Sequence, residues 1–405
     1  MIRAGHKRET QKVSLRPAAP QTIGMKPKLL LVTRNFPPTL GGMERLNLEM
    51  AKALTEFFQV RMVAPVGAGA CAPALAVQEV ALKPLRAFLW QAAGQALRIA
   101  ADWRPDIVLA GSGLTAPHAW LAARRTGARS AAYVHGLDIT VPHPVYRSLW
   151  LPALRRLDCV VANSAPTAAL ARAAGVAADR IRVVHPGVRV TEADPAARPR
   201  FRAAHQLGER PVLLSVGRLT RRKGLVPFVR EVLPRIVTRH PQALLLVIGD
   251  TPRNALYAEA QSRESIQAAA DAAGCGAHVR FLGTVSDEAL QDAYRACDVY
   301  VFPVEAIPDD PEGFGMVALE AAAAGLATVA FAVGGVIDAV REGGSGHVVP
   351  PGDSRAFAEA VSRLIDAPME AAGVRAFAQG LNWSAFGSLL AAGLTDRTLH
   401  TAECR

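Results

Sequence analysis

The sequence has 405 residues, of which 50% are hydrophobic and 20% are charged. This length is sufficient for two or three domains, and the composition is typical of a folded globular protein rather than a disordered one. No apolar run approaches the roughly 20 residues that a membrane-spanning helix needs, so the sequence predicts none.

Positive charge is concentrated in the first half of the chain. Residues 1–195 hold 25 Lys and Arg against 12 Asp and Glu, whereas residues 196–405 hold 21 against 23. Residues 1–27 are basic, contain proline and lack the apolar segment of a signal peptide, which predicts a disordered tail on a cytoplasmic protein. The cysteines are scattered without CxxC spacing, which predicts reduced thiols and no zinc site. They are Cys71, Cys159, Cys275, Cys297 and Cys404.

The excess of positive charge fits either nucleic acid or an anionic lipid surface. The sequence contains no helix-turn-helix, zinc-finger or RNA-recognition signature, so we expect no nucleic acid partner. Residues 85–90 and 146–156 mix Trp, Leu and Arg as interfacial helices do. They predict a protein that is peripheral on the inner face of a membrane.

The first predicted unit is a strand at residues 28–33, a loop at 34–42 and a helix at 43–57. Gly41 and Gly42 stand at the turn from strand to helix, where glycines allow the backbone to approach a ligand closely. By itself this is a weak signal, because many tight turns have such glycines.

Further along, a predicted strand at residues 130–134 ends at His135. A lone histidine is more often a structural residue than a catalytic one, so His135 carries no role by itself. The segment at 111–116 reads Gly-Ser-Gly-Leu-Thr-Ala, and Asp138 follows at a distance compatible with a ribose contact. A nucleotide-dependent oxidoreductase is therefore an alternative, although the glycines follow the fourth predicted strand rather than the first.

The second half opens after a polar, proline-marked hinge at residues 192–199. A strand at 211–216 precedes a loop at 217–224 that carries four cations, and a helix is predicted at 225–240. Cations at a helix N-terminus oppose the helix dipole, so this loop needs an anion, and a diphosphate supplies one. The cations available to bind it are Arg218, Arg221, Arg222 and Lys223.

Two glutamates eight residues apart form the most informative pattern in the chain. Residues 298–303 are predicted to form a strand, and residues 316–324 a helix that ends at Gly325. Glu312 lies in the loop between them, directly before Gly313, Phe314 and Gly315, and Glu320 lies on the helix. Carboxylates beside a helix N-terminus, whose free N–H groups favour anions, predict a site for a ligand with both hydroxyls and phosphates.

Together these motifs resemble glycosyltransferase family 4, the retaining, sugar-nucleotide-dependent enzymes of the GT-B fold. The resemblance implies that Glu312 contacts the donor sugar, Glu320 the ribose, and Arg218 and Lys223 the diphosphate. We expect Arg221 and Arg222, which it does not match, to face solvent. It also implies further donor contacts, a sugar-pocket histidine at His135 and a possible acceptor contact at Asn163 and Ser164. The further donor contacts are Gly42, Gly283, Val285, Gly313, Phe314 and Gly315.

The alternation of predicted strands and helices along the whole chain implies parallel sheets covered by helices on both faces. With the resemblance it predicts an α/β GT-B protein in which two Rossmann-like domains face one cleft. The expected divisions are a tail at 1–27, an acceptor-side domain at 28–195 and a nucleotide-sugar-binding domain at 196–382. Residues 383–405 are expected to form a helix that crosses back to the first domain.

The resemblance implies hexosyl transfer in which the leaving phosphate takes the acceptor's proton, without a protein nucleophile. No Asp-x-Asp motif is present, which agrees with a metal-independent enzyme and with no cofactor. The expected donor is a nucleoside-diphosphate sugar, GDP-mannose first and UDP-hexoses second, and the expected acceptor is a lipid-linked or envelope polysaccharide. A nucleotide-sugar epimerase or a catalytically idle binding subunit remains an alternative on the same fold.

Overall fold

The computed structural model describes residues 25–190, 192, 194–251 and 260–396. Most of the predicted basic tail and the last nine residues therefore lie outside the described residues. In the part of the chain that is described, no helix is both long and apolar enough to cross a membrane.

Seven parallel strands form the first sheet, in the spatial order β3-β2-β1-β4-β5-β6-β7. The central strands β1, β4 and β6 are short apolar runs buried on both faces, as is usual for parallel sheets, whereas the edge strands β3 and β7 are only partly buried. Their bounds are β1 (Lys28–Val32), β2 (Gln59–Pro65), β3 (Ala76–Val80), β4 (Ile107–Ala110), β5 (Arg129–Val134), β6 (Cys159–Ala162) and β7 (Ile181–Val183).

Six parallel strands form the second sheet, in the order β10-β9-β8-β11-β12-β13. Both sheets thus reverse their strand order beside their first strand, at β1/β4 and at β8/β11. The strands are β8 (Val212–Val216), β9 (Leu244–Ile248), β10 (Val279–Gly283), β11 (Val299–Phe302), β12 (Thr328–Phe331) and β13 (Gly346–Val349). The prediction of two parallel α/β units is confirmed.

Helices cover both faces of each sheet. The helices up to the hinge are α1 (Gly42–Leu54), α2 (Ala68–Cys71), α3 (Leu85–Trp103), α4 (Ala116–Thr126), α5 (Leu137–Thr140), α6 (Leu151–Arg155) and α7 (Ala165–Ala173). Those after it are α8 (Ala197–Ala204), α9 (Leu225–Pro227), α10 (Leu233–Arg239), α11 (Arg263–Ala272), α12 (Asp287–Ala296), α13 (Met316–Ala324), α14 (Val336–Ala339), α15 (Ser354–Asp366), α16 (Ala371–Gln379) and α17 (Trp383–Thr395).

The helix predicted at residues 225–240 is interrupted by a π turn at Phe228–Val232. Pro234 follows in the first turn of α10 and has no N–H to donate to the carbonyl four residues earlier. The wider π turn accommodates this loss. Another π turn, at Tyr146–Trp150, likewise precedes a proline in the first turn of α6.

Alternate residues of the first sheet face two different cores. Leu30 and Val32 point into the core under α3, α4 and α6, whereas Leu29 and Leu31 point into the core under α1. This follows from the two-residue period of a strand. α17 packs against α1 on the second of these faces, so the end of the described chain lies on the first domain.

The chain crosses between the two sheets twice, and the crossings lie side by side. The Val188 amide donates to the Leu381 carbonyl at 2.8 Å, and Val188 also forms a parallel bridge with Asn382. Trp383 opens α17 directly after the second crossing and approaches Gly187. The two crossing segments are therefore hydrogen-bonded to each other. Separately, segments that follow the carboxyl ends of strands in one sheet contact those of the other.

Candidate active site

The loops after β8 and β11 meet where the second sheet reverses its strand order. Open α/β sheets bind ligands at such a switch point, outside the carboxyl ends of the strands. The basic loop at 217–224 follows β8, and the acidic loop at 303–315 follows β11. The topology therefore brings the predicted phosphate-binding cations to the predicted sugar-binding acid.

Lys223 and Glu312 form a buried ion pair at this point. The Lys223 Nζ donates to Glu312 Oε2 at 2.8 Å and lies 4.6 Å from the centre of the Phe302 ring. Burial by itself raises the pKa of the Glu312 carboxyl, but the charges of Lys223 and Arg222 outweigh it and lower that pKa to about 2. Burial lowers the pKa of the Lys223 ammonium, and Glu312 counteracts that effect.

Arg222 differs from its prediction. It was expected to face solvent, but its residue is only 8% exposed. Its Nη1 donates to Asp310 Oδ1 at 3.0 Å and to the Pro311 carbonyl at 2.8 Å. The turn at Arg221–Lys223 points the middle side chain inward, and Arg221 beside it is exposed.

Arg218 is exposed at the start of the same loop. It makes no hydrogen bond or ion pair with any residue that the structure describes. Its charge nevertheless contributes to the lowered pKa values of Lys223 and of the Glu312 carboxyl. A positive side chain without a protein partner, beside a buried ion pair, is a suitable ligand for an anion.

Glu320 lies on the second turn of α13 and is buried. Tyr294 Oη donates to Glu320 Oε2 at 3.2 Å, and Arg45 Nη1 of α1 lies 3.1 Å from Glu320 Oε1. Burial raises the pKa of the Glu320 carboxyl, which Arg45 and Tyr294 oppose only in part. Arg45 belongs to the first domain, so this ion pair crosses the cleft.

Gly313 requires the absence of a side chain because the two domains touch there. A Cβ at this position would lie 2.1 Å from the His135 carbonyl oxygen and 2.9 Å from Asn163 Nδ2. Phe314 stacks on His185 with 5.5 Å between the ring centres. Gly315 has a φ of 96° and precedes the first turn of α13, where an L side chain would be strained.

His135 is held in one orientation. Its Nε2 donates to the Gly111 carbonyl at 3.0 Å, which in the neutral ring leaves Nδ1 as an acceptor. The two Asp138 oxygens accept hydrogen bonds from the Gly113 and His135 amides, at 2.7 and 2.8 Å. Asp138 therefore organises these two loops, which removes it from the ribose contact that the oxidoreductase alternative requires.

The remaining predicted residues lie around this centre. Gly42 is the exposed first residue of α1, and a Cβ there would meet open space. Gly283 is the last residue of β10, and its carbonyl accepts a hydrogen bond from the Gly249 amide at 2.8 Å. It therefore lies at the carboxyl end of a strand of the second sheet, two strands away from β8. Val285 is half-buried against the core of the second domain, and Ser164 caps α7 through its hydroxyl.

Sequence reasoning missed Arg45, Tyr294 and Asp310 and misjudged Arg222. Arg45 stands three residues after Gly42, in the first turn of the helix that follows the predicted ligand-approaching turn, which is the one signal that could have identified it. Within the described ranges, His, Cys, Asp and Glu are nowhere grouped in threes that could hold a metal ion.

Two family models match the chain. The model described as Glycosyltransferase Family 4 matches residues 40–192, and the model described as Glycosyl transferases group 1 matches residues 197–378. The first match begins after β1 and covers β2 to β7, and the second covers β8 to β13.

Curated relatives agree with these matches. A GDP-mannose-dependent alpha-(1-6)-phosphatidylinositol monomannoside mannosyltransferase of Mycolicibacterium smegmatis is 32% identical over 362 residues, which are 85% of this chain and 91% of the relative. A D-inositol 3-phosphate glycosyltransferase of Catenulispora acidiphila is 35% identical over 233 residues, which are 56% of this chain and 54% of the relative.

Solved structures share the fold at low sequence identity. Anabaena HepE in complex with UDP superimposes with a TM-score of 0.75 and 19% identity, over 91% of this chain and 99% of that one. Sucrose-phosphate synthase of Thermosynechococcus elongatus gives a TM-score of 0.72 and 23% identity, over 90% of this chain and 97% of that one. The GT-B prediction is confirmed, and the chain belongs to glycosyltransferase family 4.

Proposed function

We propose that this glycosyltransferase is a retaining, metal-independent mannosyltransferase that transfers mannose from GDP-mannose to a lipid-linked or envelope polysaccharide acceptor. The convergence of Arg218, Lys223, Glu312 and Glu320 at the switch point of the second sheet carries the proposal. The mannosyltransferase relative, similar over nearly its whole length, supports the choice of donor.

Transfer breaks the bond between the anomeric carbon and the diphosphate oxygen and forms a bond from that carbon to an acceptor oxygen. The acceptor proton passes to the departing phosphate on the same face, so no protein nucleophile is needed. Negative charge grows on the diphosphate. Arg218, Lys223, the Gly42 amide and the N-terminus of α13 stabilise it, which is a preorganised electrostatic effect.

Donor binding exchanges partners at the buried ion pair. Lys223 turns to the phosphates, and Glu312 accepts hydrogen bonds from sugar hydroxyls. Glu320 exchanges its ion pair with Arg45 for hydrogen bonds from the ribose hydroxyls. His135 Nδ1 accepts a hydrogen bond from a sugar hydroxyl. Gly283 and Val285 line the base, and the residues Gly313, Phe314 and Gly315 contact the donor.

A thermal-shift screen of the full chain tests the donor. A ligand that binds only the folded protein stabilises it by RT ln(1 + [L]/Kd), so the melting temperature ranks affinities. We expect GDP and GDP-mannose to raise the melting temperature more than UDP, ADP and their sugars do. In a separate activity assay, we expect transfer from GDP-mannose to persist in EDTA. Larger shifts with UDP-hexoses would reassign the donor, and Mg²⁺-dependent activity would contradict the metal-free mechanism. Epimerised donor without transfer would favour an epimerase.

We expect the affinity for nucleoside diphosphate to fall on the acid side at a higher pH than an ordinary glutamate would produce. The folded pKa of Glu320 lies above its usual 4.5, so it gains a proton first and stops accepting from the ribose as pH falls. Glu312, with a pKa of about 2, stays ionised in this window. In Glu320→Gln, calorimetry should show weak binding of nucleoside diphosphate whose affinity no longer falls in this pH range. If the affinity of this variant still falls there, another group is responsible for the fall.

Membrane attachment through the α3–α6 face of the first domain completes the proposal. Trp90 on α3 and Leu149 beside α6 are 81% and 61% exposed, although such side chains are usually buried. Exposed Arg86 and Arg147 lie next to them in the sequence. Aromatic and aliphatic groups interleaved with arginine suit an anionic lipid surface.

The two segments converge on the start of α4. His118 Nε2 donates to the Leu89 carbonyl at 2.9 Å, and Trp150 Nε1 donates to the Leu114 carbonyl at 2.8 Å. Segments distant in sequence therefore lie around one region of the first domain, as a lipid-facing patch requires.

Replacing Trp90 and Leu149 together by Ser should weaken co-sedimentation with vesicles of phosphatidylcholine and phosphatidylglycerol by about tenfold, because their apolar area no longer enters the lipid. Leu389→Ser is the matched control, since Leu389 is 60% exposed on α17 at the opposite face. Equal binding by both variants would refute the assignment of this face.

A further inference from the structure

We propose that Arg222 is a positioning residue of this glycosyltransferase, holding the segment of Asp310, Pro311 and Glu312 so that the Glu312 carboxylate meets the donor sugar. The inference deepens the proposed function and rests on it for the role of Glu312. Arg222 itself need not touch the substrate.

The loop that carries Glu312 has no helix or strand of its own between β11 and α13. Arg222 contacts it near both ends. Its carbonyl accepts from the Glu305 amide at 2.8 Å, and its Nη1 donates to Asp310 Oδ1 and the Pro311 carbonyl at 3.0 and 2.8 Å. One residue thus closes the loop from Glu305 to Pro311 and reduces the conformations open to Glu312.

Arg222 interacts with Glu312 in a different way from how it interacts with Asp310 and Pro311. The Arg222 Nε lies 3.3 Å from Glu312 Oε2 but makes no hydrogen bond in the protein. Its directional bonds therefore go to Asp310 and Pro311, while Glu312 receives only the attraction of a nearby charge. The Glu312 oxygens remain available for an exchange of hydrogen-bond partners.

Arg222 also balances the charge of Glu312 when Lys223 changes its partner. Arg222 and Lys223 face Asp310 and Glu312, so the positive and negative side chains are equal in number. When Lys223 turns to the phosphates, Glu312 would become an uncompensated buried charge, which is costly. Arg222 stays beside it and keeps the carboxylate ionised while it accepts from the sugar.

A lysine could not take this place. The planar guanidinium reaches two acceptors through Nη1 while Nε faces a third group, whereas an ammonium is a point charge on a flexible stem. Arg222→Lys should therefore retain the charge and lose much of the orientation.

The test compares Arg222→Met and Arg222→Lys with Arg221→Met, which removes a neighbouring exposed cation. Calorimetry measures the affinities for GDP and GDP-mannose, with UDP and UDP-glucose in parallel. We expect Arg222→Met to weaken nucleotide-sugar binding by about tenfold or more, with nucleoside diphosphate binding nearly unchanged. The affinity of Arg222→Lys for nucleotide sugar should lie between those of Arg222→Met and the wild type, and the affinity of Arg221→Met should equal that of the wild type. Equal losses for both ligands, or no loss, would overturn the proposal.

Hydrogen exchange of the ligand-free protein separates this inference from the proposed function. Amides in the loop at 305–312 should exchange faster in Arg222→Met than in Arg221→Met. If the wild type binds no nucleotide sugar, the proposed function fails, and unchanged exchange would then reject the positioning role as well. If Arg222→Met does not fold, Arg222→Met with Asp310→Asn removes both opposite charges and takes its place.

Discussion

Replacing Lys223 with Met is expected to lower turnover by about 10²–10³-fold, because a preorganised charge beside the leaving diphosphate is lost. Glu312→Gln should lower it to a similar extent, since an amide is a weaker acceptor for the sugar hydroxyls. Initial rates of sugar transfer at saturating donor measure both effects. Near-normal turnover in either variant would remove that residue from the site.

Because the ion pair is buried, this experiment needs a control for loss of stability. Both residues lie on loops, and a loop position by itself predicts that a substitution leaves the fold intact. The structure buries both, so removing Glu312 leaves the Lys223 charge uncompensated, at a cost of about 3–5 kcal/mol. Removing Lys223 should cost less, because Arg222 remains 3.3 Å from Glu312 Oε2. Lys223→Met with Glu312→Gln removes both charges together. This pair should restore thermal stability without restoring turnover, which separates a catalytic loss from unfolding.

Arg218→Ala is expected to lower transfer by about 10²-fold and leave stability unchanged. The side chain is exposed and makes no hydrogen bond or ion pair with the described residues, so its removal exposes no buried group. Both nucleoside diphosphate and donor should bind more weakly, because Arg218 is expected to act on the phosphates they share.

The matched control is Arg221→Ala, an exposed arginine three residues away in the same loop. Steady-state kinetics and calorimetry on the two variants decide the matter. If the Arg221 variant loses as much activity as the Arg218 variant, the loop acts through its overall charge rather than through one positioned guanidinium.

The fold could be predicted because its signals are local. The helix predicted at 316–324 coincides with α13, since glycines in the left-handed region, Gly315 and Gly325, bound an alanine-rich run. Strand positions followed from short apolar runs in the same way. The helix at 225–240 was less accurate, because the prolines within it alter its hydrogen bonding.

The sequence by itself determined the parallel α/β class, the order of the motifs and the presence of paired acids and cations, since these depend on neighbouring residues. Only the tertiary structure decided which cation is buried. Arg222 and Asp310 are 88 positions apart, and their contact depends on β8 pairing with β11. Likewise the contact of Arg45 with Glu320 depends on two domains meeting, which no local pattern encodes. Long-range pairing sets which side chains lose water, and that loss sets their charge and chemistry.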